Sequence, residues 1–211
     1  MKILNLGITN YQQAHELQKT IINQRLNNQI EDTVITVEHP LTITLGRDGK
    51  RENILVNDEV LKEKSISVFY IDRGGDVTLH CPGQLVMYPI IDLKQLRPDL
   101  HWYMRILENT VIELLTIYGI NAYRKENYTG VWVSDEKIAS IGIGVRNWIT
   151  YHGLSLNIEP DLDYFSLIYA CGLKNVKMTS MKKLLGVMLN KFEIERILVK
   201  IFEKYIYDTN S

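Results

Sequence analysis

Lys137-Ile138-Ala139-Ser140-Ile141-Gly142, then Tyr151-His152-Gly153-Leu154-Ser155-Leu156-Asn157, then Ala170-Cys171-Gly172 form the stretch on which the reading of this chain turns. Alternation over 137–145 predicts a strand, because strand side chains point to opposite faces with period two. On that count Lys137, Ala139, Ile141, Ile143 and Val145 share one face, which is apolar apart from the lysine. The other face carries Ser140, Gly142 and Gly144, which bare the backbone to whatever lies against it. An unpartnered lysine in a core is costly and is driven towards its neutral form. A lysine that can release a proton and a cysteine that can attack are together the parts of an acyl-transfer site. The same pattern also fits a lysine that snorkels to solvent and a cysteine that packs as a small apolar side chain.

The 211 residues are 45% hydrophobic and 23% charged, with a formal net charge of -1, which suits one globular domain over 1–211. So small a net charge offers no electrostatic case for a nucleic-acid or membrane-surface partner. A chain of this size needs no disulfide staple, so its two cysteines point to a reducing cytoplasm. The start, Met-Lys-Ile-Leu-Asn-Leu-Gly, runs into polar residues, and no signal peptide or membrane span is expected.

Outward from the central stretch, the elements alternate. Thr9 and Gln12 have capping-box spacing, and Tyr11, Ala14, Leu17, Ile21 and Ile22 then keep to one helical face as far as Asn27. Strands are expected over 33–38, 41–45, 66–71 and 85–91, with a short helix over 57–64. Trp102, Ile106, Leu107, Ile112 and Leu115 mark a long helix that stops at Gly119. Further strands are expected over 120–123, 130–133 and 148–158, a helix over 179–185, and a last amphipathic helix opened by Asn190. Hairpin-like strand pairs interleaved with helices give an α+β fold with a mixed sheet.

Two polar segments stand out. Gly46-Arg47-Asp48-Gly49-Lys50-Arg51 reads as a solvated turn or as a contact for an anion or a partner protein. In Arg73-Gly74-Gly75-Asp76-Val77-Thr78-Leu79-His80 the paired glycines allow close backbone approach, and Arg73 could take an anionic group. Neither a P-loop nor a dinucleotide fingerprint is present, so no nucleotide cradle and no cofactor are expected. His15, His39 and His101 lack ligand spacing, so no metal is expected either, and His152 reads as a hydrogen-bonded sheet histidine.

Taken together these segments resemble the lipoyl(octanoyl) transferase family. The resemblance rests on Leu6-Gly7 with Tyr11, Ala14 and Gln18; on Leu45-Gly46-Arg47; on Arg73 through Gln84; on Lys137 to Gly142; on His152-Gly153 with Asn157; and on Cys171-Gly172. It implies the fold shared with the biotin/lipoate protein ligase catalytic domain, a mixed sheet flanked by helices. It also implies transfer of an octanoyl group from octanoyl-acyl carrier protein to a lysine on a lipoyl domain. The acceptors it implies are the lipoyl domains of 2-oxoacid dehydrogenases and the glycine-cleavage H protein.

By the same resemblance Cys171 is the thioester nucleophile, and Lys137 promotes its thiolate and shuttles the proton. Arg73, Gly74, Gly75, Asp76, Val77, Thr78, Leu79 and His80 would line the acyl and carbonyl site. Ser140, Ile141 and Gly142 would join them, as would Gly153, Leu154 and Ser155. Backbone N–H groups in these segments would hold the oxyanion. The chain departs from the family pattern at Cys81, where glycine is usual, and at Ala170, where proline often precedes the cysteine. A glycine-type backbone at Cys81 would be strained. The competing readings are an ATP-dependent lipoate-protein ligase, a thioesterase, and a non-catalytic carrier- or lipoyl-domain binding module.

Overall fold

The computed structural model describes residues 1–174 and 176–208. In chain order the elements are β1 (Lys2–Ile8), α1 (Tyr11–Leu26), β2 (Thr33–Glu38), β3 (Thr42–Leu45), α2 (Asp58–Glu63), β4 (Ser67–Tyr70), β5 (Val77–His80) and β6 (Gln84–Ile90). They continue with α3 (Leu100–Ile117), β7 (Tyr123–Lys125), β8 (Tyr128–Val133), β9 (Glu136–Arg146) and β10 (Ile149–Asn157). The last are β11 (Lys177–Met178), α4 (Met181–Leu185) and α5 (Lys191–Tyr207). The large sheet has the order β1-β2-β6-β10-β9-β8-β7, and β11 pairs with the start of β9. Its β1–β2 and β9–β11 pairs are parallel and the others antiparallel, so the sheet is mixed as expected. A second sheet, β4-β3-β5, stands apart with its own core.

Each face of the large sheet is sealed differently. Leu107, Val111 and Leu114 of α3 and Ile194, Leu198 and Phe202 of α5 bury one face against Val131, Ala139, Leu154 and Leu156. Ala14, Ile21 and Ile22 of α1 bury part of the other against Ile35, Val86 and Tyr88. The helix spacing read from the sequence is therefore the spacing that packs. The cap of α1 is Asn10 rather than Thr9: the Asn10 side chain accepts from Gln12 N–H at 2.9 Å, while the Thr9 hydroxyl turns back to Leu6 O. Gly119, at φ 74, ends α3 in the left-handed conformation glycine allows.

Three strands escaped the sequence reading. β1 lies at the sheet edge with only Leu4 and Leu6 packed inward, so its apolar signal is thin. β5 hides within a glycine-rich polar segment, and β11 has two residues. In the other direction, Ile120 and Ala122 enter the core as a connector, and the strand expected at 120–123 begins only at Tyr123.

The main correction falls on β9. Pairing with β8 shifts register between Val131–Ala139 and Trp132–Lys137, which leaves Ile138 as an extra residue. Such a bulge interrupts the alternation of faces. Ile138 and Ala139 both enter the core under α3 and α5. Lys137 is thereby turned to the opposite face, among Gly130, Trp132 and Cys171, and does not share the face of Ala139 and Ile141.

A buried charge network ties the two helical layers together at the far end of the sheet. Arg25 of α1 pairs with Asp32 at 2.9 Å and approaches Asp92 at 3.6 Å, and Tyr207 of α5 donates to Asp32 at 2.8 Å. Removing Arg25 would leave two buried carboxylates without their ion-pair partner. We expect Arg25→Met to destabilise the protein by about 3–5 kcal/mol, measured by urea unfolding at pH 7.

Candidate active site

Cys171 and Lys137 meet where the two sheets join. The Lys137 ammonium donates to Cys171 Sγ at 3.1 Å, and the lysine is only 2% exposed. It does not snorkel. Its aliphatic stem runs beside Gly130, where φ is +122 and an added Cβ would come within 2.5 Å of Lys137 Cε. The Trp132 ring lies 5.7 Å from Nζ. Glycine in the β8 pattern thus marks a close approach, the signal that could have found this wall in the sequence.

The cysteine sits on a tight turn, Ala170–Gly172, where Cys171 itself is left-handed at φ 58, ψ 24. A non-glycine residue there costs on the order of 1–2 kcal/mol, so the surroundings must hold it. They do so from the small sheet. Tyr169 N–H donates to Asn53 O at 2.8 Å, and Ile168 bridges to Ile54. Asn53 also donates to Asp76, whose other oxygen accepts from Val77 N–H at 2.6 Å. Gly172, at φ +71, leaves room for Asp76, since a Cβ would meet its Oδ2 at 2.5 Å. The strain anticipated at Cys81 is absent, because Cys81 does not have positive φ.

Arg73, which interacts electrostatically with Cys171, leads from the Lys137–Cys171 pair into a small open cavity between the sheets that neither Cys171 nor Lys137 lines. Arg73, Thr78 and His80 reach it from the small sheet; Ser140, Ile141, Gly142, Gly153, Leu154 and Ser155 form the large-sheet wall, and Tyr11 and His152 also line it. Of the segment expected to line the site, alternation along β5 sends Thr78 and His80 to the cavity and Val77 and Leu79 into the small core. Asp76 serves the cysteine turn. Gly74 donates to Ile143 O at 2.9 Å, stitching the small sheet to β9, and Gly75 (φ 82) forms the turn itself. Ile71, Val86 and Tyr88 line the cavity too and were not singled out from the sequence, where they read as ordinary core positions.

Ser140–Gly142 pairs directly with Gly153–Ser155 in the β9–β10 ladder. Those segments therefore offer a strand wall in which the small Ser140, Gly142, Gly153 and Ser155 flank Ile141 and Leu154. Small residues are needed there: a Cβ on Gly142 would meet Arg73 Cδ at 3.0 Å, and one on Gly153 would meet Met87 O at 2.3 Å.

Electrostatically the site is cationic. Arg73 is 8% exposed and bonds Thr44 O at 2.8 Å, Thr44 Oγ1 at 3.0 Å and Gly74 O at 3.0 Å. Burial pulls its guanidinium below the usual arginine range, while the Cys171 thiol favours its charge. His80 is held neutral by burial and bonds through Nδ1 to Gln84 Oε1 at 3.2 Å. Gln84 donates to Asn157, Asn157 to Thr179 O, and Thr179 N–H to Lys137 O, so one chain of hydrogen bonds runs from the cavity to the lysine backbone. His152 is a buried sheet histidine whose pKa burial lowers, bonded at 3.1 Å to an Asp72 carboxylate held well below its usual range, chiefly by that hydrogen bond. Among the described residues no group of three His, Cys, Asp or Glu side chains could hold a metal ion. Nor is any helix there long and apolar enough to cross a membrane.

The sequence profile of the lipoyl protein ligase A/B catalytic domain matches residues 10–204. An octanoyltransferase of Syntrophobacter fumaroxidans is 44% identical over 206 residues, covering 96% of this chain and 90% of that relative. One of Caldicellulosiruptor saccharolyticus is 45% identical over 203 residues, covering 95% and 85%. Among solved structures, a lipoate-protein ligase A bound with ATP superposes with a TM-score of 0.76 at 14% identity, covering 98% of this chain and 85% of that one. A biotin protein ligase from Aquifex aeolicus gives 0.61 at 12%, covering 97% and 70%. At such identities these last two show the shared fold.

Two measurements follow from this geometry. Cys81 is fully buried in the small core, and burial pushes its thiol up to about 12. Iodoacetamide at pH 8 should therefore add one label to the native protein, on Cys171, and two after denaturation, as read by peptide mass. Buried neutral histidines also set the acid response. His39, donating to Thr9 O and bonded to Tyr88, is pushed by burial down to about 4. Its folded pKa lies below its unfolded one, so the unfolded chain binds the extra proton. Stability should be fully present above pH ~6.5 and fall towards pH 4 by about 1.4 kcal/mol per pH unit for each such histidine. Urea melts across that window check the slope.

Proposed function

The chain belongs to the lipoyl protein ligase A/B catalytic domain family, and on that footing we propose that it is an octanoyltransferase working through a thioester on Cys171. The observation that carries this reading is the 3.1 Å contact between a buried lysine and a partly exposed cysteine. A family member that activates its acyl group with ATP would have no use for that contact.

In the first half-reaction the Cys171 thiolate, paired with the Lys137 ammonium, attacks the carbonyl carbon of octanoyl-acyl carrier protein. The tetrahedral adduct carries an oxyanion in a site already furnished with the Lys137 and Arg73 cations and little water. Collapse breaks the bond to the carrier thiol, which leaves with a proton from Lys137. In the second half, the amine of the acceptor lysine attacks the thioester carbonyl. Neutral Lys137 takes the amine proton, the amide forms, and Cys171 departs as thiolate beside the ammonium again. Thioester exchange followed by aminolysis needs no nucleotide.

The octanoyl chain would lie against Ile141, Leu154, Val86 and Ile71, with Gly142 and Gly153 keeping that wall shallow. The donor is octanoyl-acyl carrier protein, and the acceptors are lipoyl domains of 2-oxoacid dehydrogenases and the glycine-cleavage H protein. The whole chain acts as one catalytic domain in the cytoplasm, where the thiol stays reduced.

Mixing the protein with octanoyl-acyl carrier protein, nucleotide and magnesium removed, should add one octanoyl mass to the peptide containing Cys171. Addition of an apo lipoyl domain should then discharge it. Lys137→Met, which keeps length and apolarity, should slow both steps by about 100-fold or more. Lys137→Arg should also be poor, since arginine holds its proton. An absolute need for ATP would move the assignment to a ligase, and an adduct on the Cys81 peptide would overturn the choice of nucleophile.

A further inference from the structure

Lys137 has no carboxylate partner within ion-pair distance among the described residues, so its aim at Cys171 depends on the walls around it. The wall along its stem is Gly130, and that glycine is held from behind. Glu108 of α3 is 2% exposed, and its Oε1 accepts the Gly130 N–H at 3.1 Å. A carboxylate so deeply buried is costly unless it is saturated with donors. Its Oε2 is accordingly met by Arg105 at 2.6 Å and Arg124 at 3.9 Å, both from the protein surface. The attachment falls next to the register shift that turns Lys137 to the site face. Because a Cβ on Gly130 would lie 2.5 Å from Lys137 Cε, there is no slack between that backbone and the side chain.

We propose that Glu108 is a positioning residue for the transfer reaction: through the Gly130 N–H it fixes the β8 backbone that aims Lys137 at Cys171. This rests on the Lys137–Cys171 reading above, and it adds a residue on a helix that touches neither substrate nor cavity. The surface arginines belong to the same device. They hold the carboxylate's outer oxygen so that the inner one faces the strand. Without Glu108 the Gly130 N–H has no acceptor, β8 relaxes, and the ammonium drifts from the sulfur.

The test is the alkylation rate of Cys171 by iodoacetamide at pH 7, which reads the thiolate that Lys137 sustains, together with steady-state transfer. Glu108→Met keeps the volume and helix propensity but has no acceptor. It should lower both the alkylation rate and kcat by about 10-fold or more, as misplacement of a catalytic group does, with KM for the carrier donor unchanged. Glu108→Gln keeps an oxygen for Gly130 and should restore most of the loss. Folded Glu108→Met with wild-type alkylation and kcat would overturn the proposal, and so would a Glu108→Gln variant no better than Glu108→Met.

If Glu108→Met does not fold, Arg105→Met/Arg124→Met on the two exposed arginines frees the carboxylate to turn outward. It should cost about threefold by the same reasoning, and wild-type rates there would overturn the proposal instead. Lys137→Met separates the two readings. If it alkylates Cys171 at the wild-type rate, the dyad itself fails. If it is slow while folded Glu108→Met is not, only the role of Glu108 falls.

Discussion

A lysine 2% exposed, with a cysteine sulfur 3.1 Å from its ammonium, is the constraint around which this molecule is arranged. A buried cation is tolerated only where geometry supplies compensation. Here the compensation comes from three layers. The large sheet supplies Lys137 and the Trp132 face, the loops flanking the small sheet hold the Cys171 turn through Asn53 and Asp76, and α3 braces the strand behind the lysine through Glu108.

The second buried cation, Arg73, obeys the same logic with different partners. Backbone carbonyls and a threonine hydroxyl satisfy it without cancelling its charge. Arg73 and Lys137 place two cations near one thiol, with the Asp76 carboxylate close enough to act on Arg73. Cations so placed can stabilise an oxyanion, which is the electrostatic requirement of acyl transfer. The neutral, buried histidines add no competing charge. The cavity therefore combines apolar walls at Ile141 and Leu154 with the Arg73 cation.

The fold shared with an ATP-bound ligase leaves room for variation because the scaffold and the Cys171 turn are separable. The sheet, the helices and the cavity come from apolar periodicity that many sequences satisfy. The cysteine comes from a three-residue turn between β10 and β11, held left-handed by contacts with the small sheet. A turn of that kind can change its chemistry without disturbing the ladder that supports it.

How much of this was legible in the sequence depends on the range of the interaction. Helix faces, the stop at Gly119 and the strands at 33–38 and 85–91 could all be read, while the pairing of Cys171 with Lys137 was implied only by the family resemblance. Periodicity, caps and motif order are local or ordered along the chain. The sequence by itself singled out Cys171 and Lys137 as the candidate chemical groups and determined which helix faces are apolar. Only the tertiary structure decided which way Lys137 points. Strict alternation put it with Ala139 and Ile141, yet the extra residue at Ile138 reverses it, and a bulge is set by the partner strand. Glu108 was invisible for the same reason: in α3 it reads as a charged helix residue, and only packing against β8 gives its carboxylate the Gly130 N–H to hold.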